Sequence, residues 1–409
     1  MKSDWKKNIA LFLASQTLSF FGTMLVQYAI IWHLVLKTQS GAMMTVYILV
    51  GILPTFFTSL IGGVWADRFN KKHLINLADG SIAVASLAIA ICLSAGIDSI
   101  VLLLVAAMVR ALGQGVQQPA VTSLIPFIVP EDKLLKINGI NNSLQSGVFL
   151  LSPMVAASLM MFAPLETLFL VDVFTAAIAI SILYFLVKVP HTKRKMVATE
   201  KTSHFRDLLN GLKYIKIQKY LRWLVALYAL FYIFMSPLYI LPALQVTRNF
   251  GSDLWRLSAL EIGFAGGMML GGILVGIWCF RNKIVAIGTA SVVIGIITVL
   301  FGLWTNFIPY LICMTICGMS APYFGAPITT FIQEKVAPDY LGRVLSVFTM
   351  FASVAMPFGM LFFGPLADTV NINNVFIGTG VIMVIIGTVY FISKTLREAG
   401  RKSINEFLS

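Results

Sequence analysis

The stretch from Ile284 to Trp304 reads IVAIGTASVVIGIITVLFGLW and contains no charged residue. As an α-helix, a run of this length spans about 30 Å, which is the thickness of the hydrocarbon core of a bilayer. The run is continuously apolar and does not alternate in polarity, so it predicts a transmembrane helix and not a strand of a membrane barrel.

Similar runs recur from one end of the chain to the other. We predict twelve transmembrane helices, at residues 9–36, 42–66, 74–95, 99–126, 137–163, 167–187, 222–246, 256–280, 284–304, 307–333, 341–367 and 373–394. Hydrophobic residues make up 58% of the 409 residues and charged residues 11%, and the mean hydropathy is +0.88. A soluble protein of this length needs far more polar surface, so an all-α integral membrane protein is expected.

The net charge of +13 would suggest a nucleic-acid partner in a soluble protein, but its placement indicates a membrane. With the N-terminus in the cytoplasm, the predicted cytoplasmic segments contain every Lys and Arg except Lys37, Arg248, Arg256 and the intrahelical Arg110. Cytoplasmic loops of membrane proteins carry this excess of positive charge. We therefore expect a multi-pass protein of the bacterial inner membrane with both termini in the cytoplasm, a lipid bilayer as partner, and no nucleic acid.

A long basic segment at the middle of the chain separates two halves of equal helix number. The predicted organisation is a six-helix bundle at 1–187, a cytoplasmic linker at 188–221 with an amphipathic helix at 205–219, and a second six-helix bundle at 222–409. Pro119 and Pro130 bracket the end of the fourth helix, and Pro327 and Pro338 bracket the end of the tenth at the same separation. The repeat lies at half the chain length and indicates two duplicated, pseudo-symmetric bundles.

The turn after the second helix carries the most specific motif. Gly63 to Lys72 reads GVWADRFNKK and resembles the G-x-x-x-D-R-x-G-R-K signature of the major facilitator superfamily. Asn70 replaces a glycine of that signature, and asparagine tolerates the left-handed backbone of a tight turn. In that family the aspartate meets the N-terminus of helix eleven when the cytoplasmic side is closed. The resemblance therefore assigns conformational gating to Gly63, Asp67, Arg68, Lys71, Lys72 and Arg343.

Arg110 lies deep in the fourth helix, in a stretch similar to the R-x-x-x-G motif of the same family. An unpaired guanidinium there costs at least about 2.5 kcal/mol, so it requires an acceptor. Proton coupling or gating and a structural salt bridge both remain open for it, and Asp79 is one possible partner. Burial disfavours the charged form of a carboxylic acid, as a proton carrier requires, so the candidates for proton coupling are Asp172, Glu261, Asp79 and Arg110. Hydrogen-bonded helix packing is the alternative for the three acids.

Aromatic, methionine and glutamine side chains are the candidates for a substrate cavity: Gln16, Gln27, Gln114, Tyr228, Phe231, Tyr232, Met235 and Tyr323. Gln117 and Gln118 are further neutral hydrogen-bonding groups on the fourth helix. Deformable apolar surfaces with few fixed charges suit amphipathic compounds better than sugars or phosphates. Pro237 and Pro242 interrupt the seventh helix and suggest a flexible gate.

Three longer stretches narrow the resemblance: Pro126–Pro153, Glu261–Met268 and Gln333–Val344 are similar to the macrolide-efflux group of drug/proton antiporters. That resemblance implies a monomeric secondary transporter that exports amphipathic drugs against protons by alternating access. Export of a polar metabolite or siderophore is the alternative, and a non-transporting scaffold or sensor is a second. The four cysteines lack the His or acidic residues of a metal site, so no metal is expected. No phosphate-binding loop occurs, which excludes an ATP-driven pump, and we expect neither a cofactor nor an enzyme activity.

Overall fold

A computed structural model describes residues 4–188, 204–277 and 282–401, which are almost wholly helical. Its helices are α1 (Asp4–Thr38), α2 (Gly41–Arg68), α3 (Lys71–Ser94), α4 (Ile100–Ile128), α5 (Leu134–Phe162), α6 (Leu165–Ser181), α7 (His204–Ile217), α8 (Lys219–Met235), α9 (Pro237–Asn249), α10 (Leu254–Ile277), α11 (Lys283–Leu303), α12 (Phe307–Lys335), α13 (Pro338–Thr369), α14 (Ile372–Ile392) and α15 (Lys394–Arg401). Cys279 and residues 189–203 of the predicted linker lie outside the described residues. The predicted all-α membrane fold is confirmed.

Eleven of the described helices are long and apolar enough to cross a membrane, judged by length and composition. The predicted seventh span, 222–246, is divided instead between α8 and α9, which meet at Ser236. Pro237 follows directly, and proline removes a backbone N–H donor and clashes with the preceding turn. The predicted interruption of this helix is found at Pro237, whereas Pro242 lies inside α9 and does not interrupt it. The two pieces α8 and α9 occupy the residues of the predicted seventh span.

The chain divides into two compact units. The N-terminal unit contains α1, most of α2 and α3 to α6, and it also takes in Asp253–Ser258. The C-terminal unit contains α7 to α9, most of α10 and α11 to α15, and it also takes in Gln39–Thr45. Each unit therefore includes a short segment from the other half of the sequence.

The N-terminal unit has an apolar cluster where α1, α3 and α4 meet. Phe12, Ile75, Leu124 and Ile128 are members of it, and each is at most 5% exposed. Their helices are close-packed along this contact, which fixes the positions of the polar residues further along the same three helices.

In the C-terminal unit, the predicted amphipathic helix of the linker is found as α7 and packs against the start of α13. Ile215 is 5% exposed, and Tyr214 stacks on Tyr340 with ring centroids 4.6 Å apart. A Cβ atom at Gly211 would lie 2.7 Å from the carbonyl oxygen of Arg343, so only glycine allows this approach. Part of the apolar side of α7 is thus covered by the protein itself.

Candidate functional site

Arg110 and Asp172 form a buried ion pair inside the N-terminal unit. Nη1 of Arg110 lies 2.5 Å from Oδ2 of Asp172, and the two side chains are 4% and 2% exposed. Ser86 donates to the same carboxylate oxygen at 2.7 Å, and Nη2 of Arg110 donates to the carbonyl oxygen of Thr23 at 3.2 Å. Asp172 on α6 therefore neutralises the guanidinium of Arg110, and the expectation that Asp79 is its partner is wrong.

Asp79 on α3 is buried in the same unit, and no described basic residue pairs with it. Its Oδ1 accepts from Ser19 Oγ at 3.0 Å and from Gln117 Nε2 at 2.6 Å, while its Oδ2 has no hydrogen-bond partner in the described part of the chain. The residue is 2% exposed, and no described Lys, Arg or His forms an ion pair with it. Among the described residues, Asp79 therefore lacks the counter-charge that Arg110 provides for Asp172.

Next to Asp79 lies a small cavity lined mainly by neutral polar side chains. Its lining residues come from α1, α4 and α5 of the N-terminal unit: Gln16, Thr17, Phe20, Gln117, Gln118, Val121, Asn141 and Gln145. The cavity volume is about 30 Å³, which is enough to hold a water molecule. Sequence reasoning selected Gln16, Gln117 and Gln118 but missed Asn141 and Gln145, although both belong to a polar run inside an otherwise apolar helix.

The aromatic candidates form a cluster in the C-terminal unit. Phe231 stacks on Phe324 with centroids 4.3 Å apart, Tyr228 lies 4.7 Å from Tyr232, and Tyr228 lies 5.3 Å from Phe348. Phe231 is fully buried and serves as core packing, whereas Tyr228 and Tyr232 are partly exposed. The remaining cavity candidates are each partly exposed and lie outside this cluster and the amide cavity: Gln27, Gln114, Met235 and Tyr323.

Glu261 lies on α10 and belongs to the C-terminal unit, whereas the other acidic candidates belong to the N-terminal unit. It is partly exposed. Asp79, Arg110 and Asp172 all belong to the N-terminal unit.

The motif after α2 contributes contacts within the N-terminal unit. Asn70 has φ −67° and ψ 112°, so its backbone is not left-handed, contrary to expectation. Its Oδ1 accepts from the backbone N–H of Lys72 at 3.0 Å and of His73 at 3.5 Å, which makes Asn70 the N-cap of α3. At this position, where the family signature has glycine, Asn70 thus contributes a side chain that caps α3.

The two lysines of the motif pack inward. Lys72 Nζ donates to the carbonyl oxygens of Tyr184 and Val187 at 2.7 and 2.9 Å, and Lys71 lies 4.6 Å from the ring centre of Phe127. They tie α3 to the end of the sixth span and to α4. The side chain of Asp67 lies outside the described part of the structure, and Arg343 lies over the ring of Tyr340 at 5.6 Å.

A second charged cluster lies at the end of α13, within the C-terminal unit, and sequence reasoning missed it. Asp368 accepts from the backbone N–H groups of Gly41 and Ala42 at 2.8 and 2.9 Å and from Ser40 Oγ at 2.7 Å. Arg248 Nη2 lies 2.8 Å from the same carboxylate. A carboxylate at these N–H groups caps the start of α2 and matches the positive end of its dipole.

The spacing of this second cluster was visible in the sequence. Gly364 precedes Asp368 by four residues, as Gly63 precedes Asp67. A Cβ atom at Gly364 would lie 2.7 Å from the carbonyl oxygen of Gly41, so the glycine permits the close approach that brings the carboxylate to the helix end.

The chain is similar to known membrane transporters over nearly its whole length. The family model described as Major Facilitator Superfamily matches residues 9–360. A protein named Macrolide efflux protein A from Streptococcus pyogenes is 30% identical over 403 residues, which cover 98% of this chain and 99% of that protein. A protein named Multidrug efflux pump Tap from Mycobacterium bovis is 24% identical, with 90% of this chain and 88% of that protein covered. The solved structure of a D-xylose–proton symporter has the same fold, with a TM-score of 0.70 at 13% identity over 97% of this chain and 99% of that one.

Proposed function

Since the chain belongs to the major facilitator superfamily, we propose that it is a secondary transporter that exports amphipathic, macrolide-like compounds in exchange for protons. The observation that carries the proposal is the relationship to Macrolide efflux protein A, which extends over 98% of this chain. The more distant similarity to multidrug efflux pump Tap points to the same class of cargo. The absence of a phosphate-binding loop from the sequence argues against direct use of ATP.

Exchange for protons is supported by Asp79. A residue that carries a proton must be stable both with and without it, and a carboxylate held by a firm ion pair favours only the ionised form. Asp79 has hydrogen bonds from neutral groups on one oxygen and no partner on the other. It meets this requirement, so we assign the proton site to Asp79.

The other acidic candidates fit the role less well. Asp172 is held by Arg110 and Ser86, so we assign this group a structural part, with the ion pair joining α4 to α6. The charge of Asp172 also interacts with that of Asp79, which links the two groups electrostatically. Glu261 belongs to the C-terminal unit and is partly exposed.

Alternating access requires contacts that form in one state and break in the other. For the cytoplasmic side, we propose that the motif from Gly63 to Lys72 acts as the gate. Its contact is formed by Asp67 with the start of α13 near Arg343. The cluster of Asp368 and Arg248 is suited to the same role at the opposite end of α13, because it caps α2 with a carboxylate. The proposed orientation has both termini in the cytoplasm of a bacterial cell, and the working unit is a monomer.

The proposal is tested in a bacterial host that lacks its own efflux pumps. Cells that express the chain should tolerate more macrolide and accumulate less of it than cells with an empty vector. A protonophore should abolish the difference in accumulation, because it removes the gradient that drives exchange. Cellular ATP is measured in parallel, so that energy depletion is separated from loss of the proton gradient.

Two results would overturn parts of this function. Unchanged susceptibility to macrolides, tetracyclines and cationic dyes in cells with verified expression would reject drug export and favour a metabolite or a siderophore as cargo. Efflux that continues at the same rate after the proton gradient has collapsed would reject proton exchange while leaving drug export intact.

A further inference from the structure

The cavity beside Asp79 has the chemistry of a binding site for one neutral polar group. Six amide or hydroxyl side chains from three helices line it: Gln16, Thr17, Gln117, Gln118, Asn141 and Gln145. Amide groups offer both donors and acceptors, and none of these side chains carries a charge. A cavity of about 30 Å³ is too small for a whole drug molecule but admits a single hydroxyl group.

Gln117 belongs both to this cavity and to the environment of Asp79. It lines the cavity, and its Nε2 donates to Oδ1 of Asp79 at 2.6 Å. A hydrogen bond to an ionised carboxylate is shorter and about twice as strong as a bond between neutral groups. The ionised Asp79 therefore fixes the Gln117 amide with its N–H toward the carboxylate, which leaves the carbonyl oxygen on the opposite side of the amide as an acceptor.

We propose that the amide cavity binds a hydroxyl group of the exported compound, and that Gln117 links this binding to the protonation of Asp79. With Asp79 ionised, Gln117 is held in place and its carbonyl oxygen accepts from the substrate hydroxyl. When a proton binds to the free Oδ2 of Asp79, the bond to Gln117 loses its charge assistance and the amide is no longer fixed. The substrate then loses an oriented acceptor and is released.

The direction of this coupling is the one that exchange of substrate for a proton requires. Protonation lowers the affinity for substrate, and by reciprocity the bound substrate lowers the affinity of Asp79 for a proton. The inference rests on the proposed function, since it takes a macrolide-like cargo as the compound whose hydroxyl is bound. Beyond that function, the inference assigns Gln117 as a positioning residue and the amide cavity as the place where one hydroxyl group of the substrate binds.

The test is binding of radiolabelled erythromycin, a macrolide with several hydroxyl groups, to the purified full chain in lipid nanodiscs at alkaline and acidic pH. The wild type should bind more weakly at acidic pH. Gln117→Leu should weaken binding at alkaline pH by roughly three- to tenfold, as expected for the loss of one hydrogen bond, and should lose most of the pH dependence although Asp79 is still present.

Two further variants make the result specific. Gln117→Asn keeps the amide but is one methylene shorter, so it should also lose the pH dependence because it cannot span the cavity and Asp79. Asn142→Leu removes an exposed amide next to Asn141 on α5 and should bind as the wild type does. A thermal melt of each preparation identifies any variant that does not fold, and Gln117→Asn decides the question where Gln117→Leu fails.

The outcomes separate the two proposals. If the wild type binds erythromycin and the Gln117 variants retain both its affinity and its pH dependence, the amide cavity is not the binding site and only this inference is overturned. If the wild type does not bind the drug at either pH, the proposed cargo is wrong, and the inference is rejected with it.

Discussion

Two carboxyl groups are buried in the N-terminal unit, and the protein neutralises them in different ways. Asp172 meets a guanidinium at 2.5 Å and a hydroxyl at 2.7 Å. Within the described residues, Asp79 meets a hydroxyl and an amide, both on one oxygen, and no basic group. The difference shows that burial alone does not identify a proton carrier: the partners decide whether a buried carboxyl group stays charged or changes its charge.

The largest effect on stability is expected at the ion pair. Asp172→Asn leaves the guanidinium of Arg110 buried without a counter-charge, which typically costs about 3–5 kcal/mol. The free energy of unfolding, measured by denaturation in mixed micelles, should fall by that amount or the variant should fail to accumulate. The double variant Arg110→Met with Asp172→Leu should recover most of the loss, because it removes both charges together.

If Asp172→Asn were as stable as the wild type, the pair would not hold α4 to α6 and the contrast between the two acids would be lost. If the double variant were no more stable than the single one, packing and not charge would explain the effect.

The same change of aspartate to asparagine at Asp79 should have a much smaller effect on stability. Asp79→Asn replaces a buried carboxyl without a counter-charge by a neutral amide of the same shape, so no charge is left unpaired. We expect the free energy of unfolding to change by less than about 1 kcal/mol in the same assay. A loss as large as that of Asp172→Asn would mean that Asp79 is also structural, and its assignment as the proton site would fail.

The smallest effect is expected for an exposed acid in the loop between α3 and α4. Asp98 lies 2.5 Å from Lys37 Nζ, and the hydrogen bond from that lysine is the largest cause that lowers the pKa of Asp98. The stabilisation is therefore present above the unfolded pKa of about 4 and is lost as the pH falls through the lower folded value. Since Asp98 is 46% exposed, the pair contributes only a few tenths of a kcal/mol.

The check is a comparison of Asp98→Asn with the wild type at neutral pH and over a series of decreasing acidic pH values, until the difference in stability no longer changes. The variant should be slightly less stable at neutral pH and equal to the wild type under acid. A difference of several kcal/mol at neutral pH would mean that the exposed pair of Lys37 and Asp98 stabilises the protein as much as the buried pair of Arg110 and Asp172.

The fold was predictable because it rests on local properties of the sequence. Uncharged runs of about twenty residues set the helices, and Pro237 marked the point at which the seventh span divides. The need of Arg110 for an acceptor followed from its depth in a helix. These inferences require no knowledge of which helices touch.

The site was predictable only in part, because it depends on helix packing. Asp79 was proposed as a partner of Arg110 from its depth along α3, but depth does not give the rotation of a helix, and the acid that faces Arg110 is Asp172 on α6. Asn70 was expected to provide a left-handed backbone, whereas its side chain caps α3. Asn141 and Gln145 were missed because their role depends on how α5 packs beside α1 and α4.

The central claim is that Asp79 gives up a proton when the exported compound binds. It is tested most directly by adding a macrolide to the purified protein in a weakly buffered solution, at a pH where Asp79 is protonated, and recording proton release with a pH-sensitive dye. The account predicts release that saturates with drug binding in the wild type and is absent in Asp79→Asn. Drug binding without proton release in the wild type, or equal release from Asp79→Asn, would contradict it.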